Sequence, residues 1–111
     1  MFCSFLNAIE TLKGHLNNNI SFVTLSEHGV FIQKEVEQFH ETAHLRTIAD
    51  VSGAGDTVIS VATLCLVAGL SIQRIAQIAN IAGGLVCETS GVVSIDLEQL
   101  KSEITNLIGE I

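Results

Sequence analysis

The sequence predicts an α/β layer fold, a small sheet flanked by helices, and three observations carry that expectation. Between residues 20 and 32 two β-rich runs face each other across a turn. A glycine-rich turn at residues 53–55 then separates this half of the chain from a greasier one. From residue 56 onward three segments repeat apolar residues at helical spacing. Few strands for so many apolar helices give the unit the look of a piece cut from a larger layered domain.

Taken in order, Phe5, Leu6, Ile9, Leu12 and Leu16 fall at helical spacing and predict an amphipathic helix over residues 5–16. Asn17, Asn18 and Asn19 end it, because asparagine tolerates the left-handed turn at a helix C-terminus. Ile20-Ser21-Phe22-Val23-Thr24-Leu25 reads as a strand, Glu27-His28-Gly29 as a turn, and Val30-Phe31-Ile32 as a second strand paired with the first in a hairpin. Residues 36–49 allow two readings. Val36, Phe39 and Ala43 fit a helix, whereas Leu45-Arg46-Thr47-Ile48 fits a strand.

Residues 56–68 are apolar nearly all round, which predicts a helix buried between layers, capped by Gly69. Ser71 starts the next helix, with Leu70 and Ile75 spaced as a hydrophobic staple, and it runs to about Cys87. Gly91-Val92-Val93-Ser94 reads as a short extended piece. Asp96 then caps a final helix, with Gln99 three residues on and a stripe of Leu97, Leu100, Ile104, Leu107 and Ile111.

A chain of 111 residues fits one domain, residues 1–111, with a modest core. Hydrophobic residues make up 48% and charged residues only 15%, which argues for a buried globular unit over disorder. Twelve acidic residues against five Lys and Arg give a net charge of -7, which repels a phosphate backbone and excludes nucleic acid as a partner. Any phosphate held here must therefore sit on backbone amides or a metal ion. Cys3, Cys65 and Cys87 show neither paired nor metal-ligand spacing, as expected of reduced thiols in a cytoplasmic protein. The N-terminus lacks a basic region followed by an apolar one, so no leader is expected. The greasiest stretch, from Val58 to Leu70, is too short for a membrane span.

Chemistry concentrates in Asp50-Val51-Ser52-Gly53-Ala54-Gly55-Asp56-Thr57. Gly53 and Gly55 let the backbone turn tightly and approach a ligand without a Cβ in the way. The first amides of the helix that follows are unpaired, and the helix dipole adds positive potential there. Together they make an oxyanion site without any basic side chain. Asp56, in the first turn, is placed as an ionised carboxylate able to take a proton from an attacking hydroxyl. By itself, Gly-x-Gly-Asp is also an ordinary tight turn with a helix-capping acid.

The longer stretch resembles the second signature of the ribokinase (phosphofructokinase-B) family of carbohydrate kinases, which reads Asp-Thr/Val-x-Gly-Ala-Gly-Asp. The resemblance implies the C-terminal part of a ribokinase-like three-layer, Rossmann-like fold. It implies that Gly53, Ala54 and Gly55 form the anion hole for the transferring phosphoryl group and that Asp56 is the catalytic base. Val23-Thr24-Leu25-Ser26-Glu27-His28-Gly29 resembles the family's nucleotide-binding strand and turn, Thr-x-Gly-x-x-Gly, with Ser26 in place of the first glycine; Thr24, Ser26 and Gly29 are the implied contacts. Ala79-Asn80-Ile81-Ala82-Gly83-Gly84 resembles the helix lining the adenine pocket, through Asn80 and Gly84, and Gly91 matches the glycine that closes it. Asp50 and Ser52 match positions that hold a monovalent cation in some members. ATP with Mg2+, and K+ in such members, are the implied cofactors.

Within the family, residues 56–60, the Ala79-Asn80 helix and residues 91–95 look like the branch that phosphorylates heptose 7-phosphate at the anomeric hydroxyl, in ADP-heptose synthesis for lipopolysaccharide. The family's Gly-Gly sugar-binding signature and Asn-x-x-Glu magnesium motif have no counterpart before residue 20. The sugar-binding N-terminal part is thus expected outside this chain, the chain alone is expected to be inactive, and association with that missing part or with further copies of itself is expected.

Two other readings stand beside this one. A non-catalytic fragment that binds only nucleotide or a complementary chain would share the same ancestry. His40-Glu41-Thr42-Ala43-His44 fits the zinc-hydrolase pattern His-Glu-x-x-His, which needs a helix to bring both histidines to one face and a third ligand downstream. No histidine follows His44 and no glutamate falls between Glu41 and Glu88, so a solvated, strand-like segment is the better account.

Overall fold

The computed structural model describes residues 2–43 and 48–109. In chain order these form helix α1 (Phe2–Leu16), strands β1 (Ile20–Thr24), β2 (Val30–Lys34) and β3 (Glu37–Glu41), and helices α2 (Ala54–Val67), α3 (Ile72–Cys87) and α4 (Leu97–Ile108). The strands make an antiparallel sheet in the order β1-β2-β3. Phe22 lies opposite Ile32, and Ile32 opposite Phe39, so these three share one face with Val30. That face packs on α3, and Val30 and Ile32 join the core there. Phe31 and Gln33 point the other way, toward α1. The rings of Phe5 and Phe31 meet edge-on at 5.1 Å, and Gln33 donates a hydrogen bond to Glu10. Helix, sheet and helices thus stack as three layers.

Local chemistry explains the element ends. Asn17 stops α1 with a positive φ of 53°. α1 itself begins at Phe2, three residues before the apolar stripe that announced it. At the end of α2 the Leu70 amide donates to the Cys65 carbonyl and the Gly69 amide to Leu66, the pair of bonds that closes a helix on a left-handed residue. Ser71 caps α3 by accepting from the Arg74 amide, and Asp96 caps α4 by accepting from Gln99.

Two expectations are corrected. Residues 37–41 form a strand, not a helix: Phe39 turns inward while Gln38 and His40 stay exposed, and alternation of that kind is the signature of an edge strand. Val36, counted above toward a helix, is 93% exposed in the turn between β2 and β3. His40 and Glu41 therefore point to opposite faces, and the His40 ring donates to the carbonyl of His28, which removes the geometry a zinc site requires. His44 and residues 45–47 lie outside the described residues, and Ile48 is not in a strand. The second correction concerns α2. Only Val58, Val61, Ala62 and Cys65 are buried, while Ile59, Leu64, Leu66 and Val67 remain exposed. The helix held between layers is α3, which packs on β2, β3, α2 and α4.

Small residues make that position possible. Ala76, Ala79 and Ala82 are fully buried. At Gly83 an added Cβ would stand 2.5 Å from a methyl of Val58, so the two helices touch where one has no side chain. Gly83→Ala should cost about 1–3 kcal/mol by overpacking. Urea unfolding would measure it, and Val58→Ala in the same chain should recover part of the loss by vacating the space.

Candidate functional site

The glycine-rich turn lies where α2 begins. Gly53 sits at the helix N-cap with a φ of 77°, and a Cβ there would press on Val92 at 3.1 Å, so both conformation and space favour glycine. The first intrahelical bond runs from the Thr57 amide to the Gly53 carbonyl. The Ala54 amide donates backward to Val51 at 3.2 Å. Gly55 and Asp56 are left with N–H groups that have no acceptor within the helix. Of the expected Gly53-Ala54-Gly55 amides, that of Ala54 is thus spent within the turn, while Asp56 adds a further open one. A side chain at Gly55 would meet nothing within 4 Å, which leaves the approach to these amides clear. Asp56 is exposed in the same turn.

Beside the turn a cavity of about 670 Å³ opens between the β1–β2 connection and the facing sides of α2 and α3. Of the residues singled out from sequence, Thr24, Ser26, Gly29, Ala54, Gly55, Asn80 and Gly84 line it. Asn80, 9% exposed, donates from its side-chain amide to the Thr42 carbonyl at 2.9 Å, so it fixes the segment after β3 while bordering the cavity. Among the described residues no lysine or arginine lines the space, and Glu27 adds a carboxylate at its rim. An anion placed there would meet main-chain amides and the helix dipole, not a basic side chain.

Other expected residues stand elsewhere. Gly91, expected to close the pocket, does not line it; it lies in a bend with a φ of 82°. Its amide donates to the second carboxylate oxygen of Asp50 at 2.9 Å. The first oxygen of Asp50 accepts from the Ser52 amide at 2.9 Å and the Ser52 hydroxyl at 2.7 Å. Asp50 and Ser52 therefore form a clamp that ties the segment before the glycine turn to the loop after α3. The amides of Ala49 and Asp50 add two bonds to the Cys87 carbonyl. The Ser52 amide, then the Ser52 hydroxyl and the Gly91 amide, hold the Asp50 carboxyl below the usual carboxylate range.

Sequence reasoning passed over Val58, Gly83 and Cys87, which also border the cavity. Spacing could have found two of them. Asn80, Gly83, Gly84 and Cys87 recur at three and four residues on one face of α3.

Two expected outcomes follow from this geometry. Because its folded pKa is depressed, the Asp50 clamp is present above the ordinary carboxylate range and is lost as pH falls through the folded value. Asp50→Asn should accordingly speed exchange of the Gly91 amide at neutral pH, and the wild-type Gly91 resonance should move only in acid; NMR would read both. Ser26 holds a left-handed φ of 55° at the position where the resembled pattern has glycine. Ser26→Gly should raise stability by about 0.5–1 kcal/mol, the relief of left-handed strain outweighing the freer unfolded chain. Thermal unfolding would show it.

Comparison with known proteins agrees with this architecture. The profile described as pfkB family carbohydrate kinase matches residues 4–100. The bifunctional protein HldE of Methylobacillus flagellatus is 37% identical over 101 residues, covering 91% of this chain and 21% of that protein. The chain thus spans about a fifth of the length of that curated relative. An E. coli ribokinase II solved with ATP and Mg2+ superposes with a TM-score of 0.77 at 24% identity, over 87% of this chain and 33% of that one. E. coli phosphofructokinase-2, solved with potassium, gives a TM-score of 0.80 at 15% identity, over 88% of this chain and 32% of that one. The superpositions establish a ribokinase-like fold, and the profile match, spanning both the glycine turn and the helices that face it, places this chain in the pfkB family of carbohydrate kinases.

Proposed function

We propose that this chain supplies the nucleotide cradle and the proton acceptor for ATP-dependent phosphorylation of a sugar hydroxyl. The observation that carries the reading is the pair of open amides at Gly55 and Asp56, facing clear space beside the large cavity, with the Asp56 carboxylate in the same turn. ATP lies in the cavity against Thr24, Ser26 and Gly29 on one side and Asn80 and Gly84 on the other. Asn80 uses one of its two amide N–H donors on Thr42, which leaves the other and its oxygen to pair with a base. Gly53 and Ala54 shape the turn and Gly91 braces it through Asp50, so that the amides meet the γ-phosphoryl group where charge develops.

The acceptor hydroxyl gives its proton to Asp56 as its oxygen bonds to the γ-phosphorus. The bond from that phosphorus to the β–γ bridging oxygen breaks, and ADP leaves with the electron pair. Heptose 7-phosphate, attacked at its anomeric hydroxyl, is the acceptor we assign, on the identity to HldE proteins. The acceptor site lies outside these 111 residues. Mg2+ neutralises charge on the phosphates when bound. Asp50 and Ser52 are the residues for K+. Asp50 already accepts three hydrogen bonds, and a carboxylate with about four lone-pair positions has one left to share with a cation.

The chain alone should bind ATP yet transfer no phosphate to heptose 7-phosphate. Asp56→Asn should leave ATP affinity by calorimetry within about twofold, while in the complete kinase it should cut turnover by about 10²–10⁴-fold, the range of a lost general base. Wild-type chain that fails to bind ATP would refute the reading, as would full turnover in the Asp56→Asn enzyme.

A further inference from the structure

His40, set aside above as a zinc ligand, reaches one wall of the cavity instead. Its ring, on the edge strand β3, donates to the His28 carbonyl across 2.7 Å. His28 ends the short 3-10 turn Ser26–His28 between β1 and β2, and Ser26, Glu27 and Gly29 of that connection line the cavity. Two residues on from His40, the Thr42 carbonyl accepts from the Asn80 side chain at 2.9 Å. Asn80 lines the cavity from α3. Residues 40–42 thus tie both walls together.

The turn needs such an outside support. Ser26 carries a left-handed φ of 55°, and strained backbone persists only where its surroundings over-determine it. No side chain caps the turn, and all three of its residues are exposed, so burial does not hold it. Its own bonds run within the loop: the His28 amide donates to the Leu25 carbonyl at 3.0 Å and the Gly29 amide to the Ser26 carbonyl at 3.1 Å. These fix its shape, not its tilt over the cavity. The tilt is set from β3. Gly29, at a φ of 90°, lies so near the end of that strand that an added Cβ would overlap the Glu41 carbonyl and stand 2.9 Å from the Ala43 nitrogen. Glycine lets the two backbones touch, and His40 supplies the hydrogen bond that keeps them aligned.

We infer that His40 is a positioning residue for the nucleotide, holding the β1–β2 turn at the distance from α3 that a nucleoside needs between them. The inference rests on the nucleotide reading above and adds the residue that sets the width of the cleft. His40 does not line the cavity itself. It acts through the His28 carbonyl on Ser26 and Gly29, so a side chain that presents an N–H at similar reach should serve in its place. One of comparable bulk without a donor should not.

The test compares His40→Leu, which removes the donor, with His40→Gln, whose side-chain amide restores one. ATP affinity is read by calorimetry on the chain, well below the thermal midpoint of each variant. His40→Leu should weaken ATP binding about three- to tenfold, the span of one lost hydrogen bond, and His40→Gln should stay within about twofold of wild type. Hydrogen exchange followed by NMR should find the His28 and Gly29 amides faster in His40→Leu, with the Ile32 amide in β2 unchanged. A role in stability alone would lower the midpoint and leave the affinity of the folded chain as it was. Should His40→Leu fail to fold, His40→Val carries the same expectations with a stronger strand former. Equal ATP affinity in wild type and the donor-less variant overturns the inference. So does a glutamine variant as weak as the leucine one, or unchanged exchange at His28 and Gly29. A wild-type chain that binds no ATP strikes the nucleotide reading instead, and the exchange comparison then still decides whether His40 holds the turn.

Discussion

The close contact of α2 with α3 at Val58 and Gly83 sets the position of everything that could act on a ligand. With no side chain at Gly83 the helices approach until a methyl of one meets the backbone of the other. That approach brings the N-terminus of α2 alongside the face of α3 that carries Asn80 and Gly84, and it leaves between them the cavity that the β1–β2 turn covers. A bulkier contact would separate the amide donors from the rest of the pocket. Packing, here, precedes chemistry: the electrostatic field of a helix start is useful only within a few ångströms.

The order of elements was legible because each was punctuated by a residue with one physical preference. Asn17, Ser71 and Asp96 stand at the helix boundaries their side chains favour, and Gly69 follows α2 in the left-handed conformation. Burial was read less well. α2 is the more continuously apolar helix, yet α3, rich in alanine and glycine, is the one enclosed on most sides. Composition measures how greasy a segment is, whereas enclosure depends on how closely neighbours can approach, and that favours small residues. The third strand was missed as a unique solution because Val36 and Phe39 fit a helical spacing as well as they fit a turn followed by a strand.

For the site, the pattern marked the turn but not its wiring. Glycine spacing marked where the chain bends. Nothing in it announced that Ala54 would spend its amide on Val51, or that Asp50 would reach across to Gly91, forty-one positions away. The second of these depends on tertiary placement. It leaves no local periodic trace. Ser26 is the opposite case. A left-handed φ of 55° at a serine is a local strain at the position where the resembled pattern has glycine, and the Leu25 to Gly29 bond closes the turn around it.

Gly83 and Gly84 are consecutive, and the wall they build is a single backbone thick. Both border the cavity, as does Val58, the side chain that Gly83 packs against. The shape of the cavity and mechanical integrity are therefore not separable properties here. Any side chain introduced to reshape that part of the pocket also pushes on the junction that keeps the pocket open, so adaptation to new ligands has to proceed through the β1–β2 turn, where Ser26 and Glu27 face solvent.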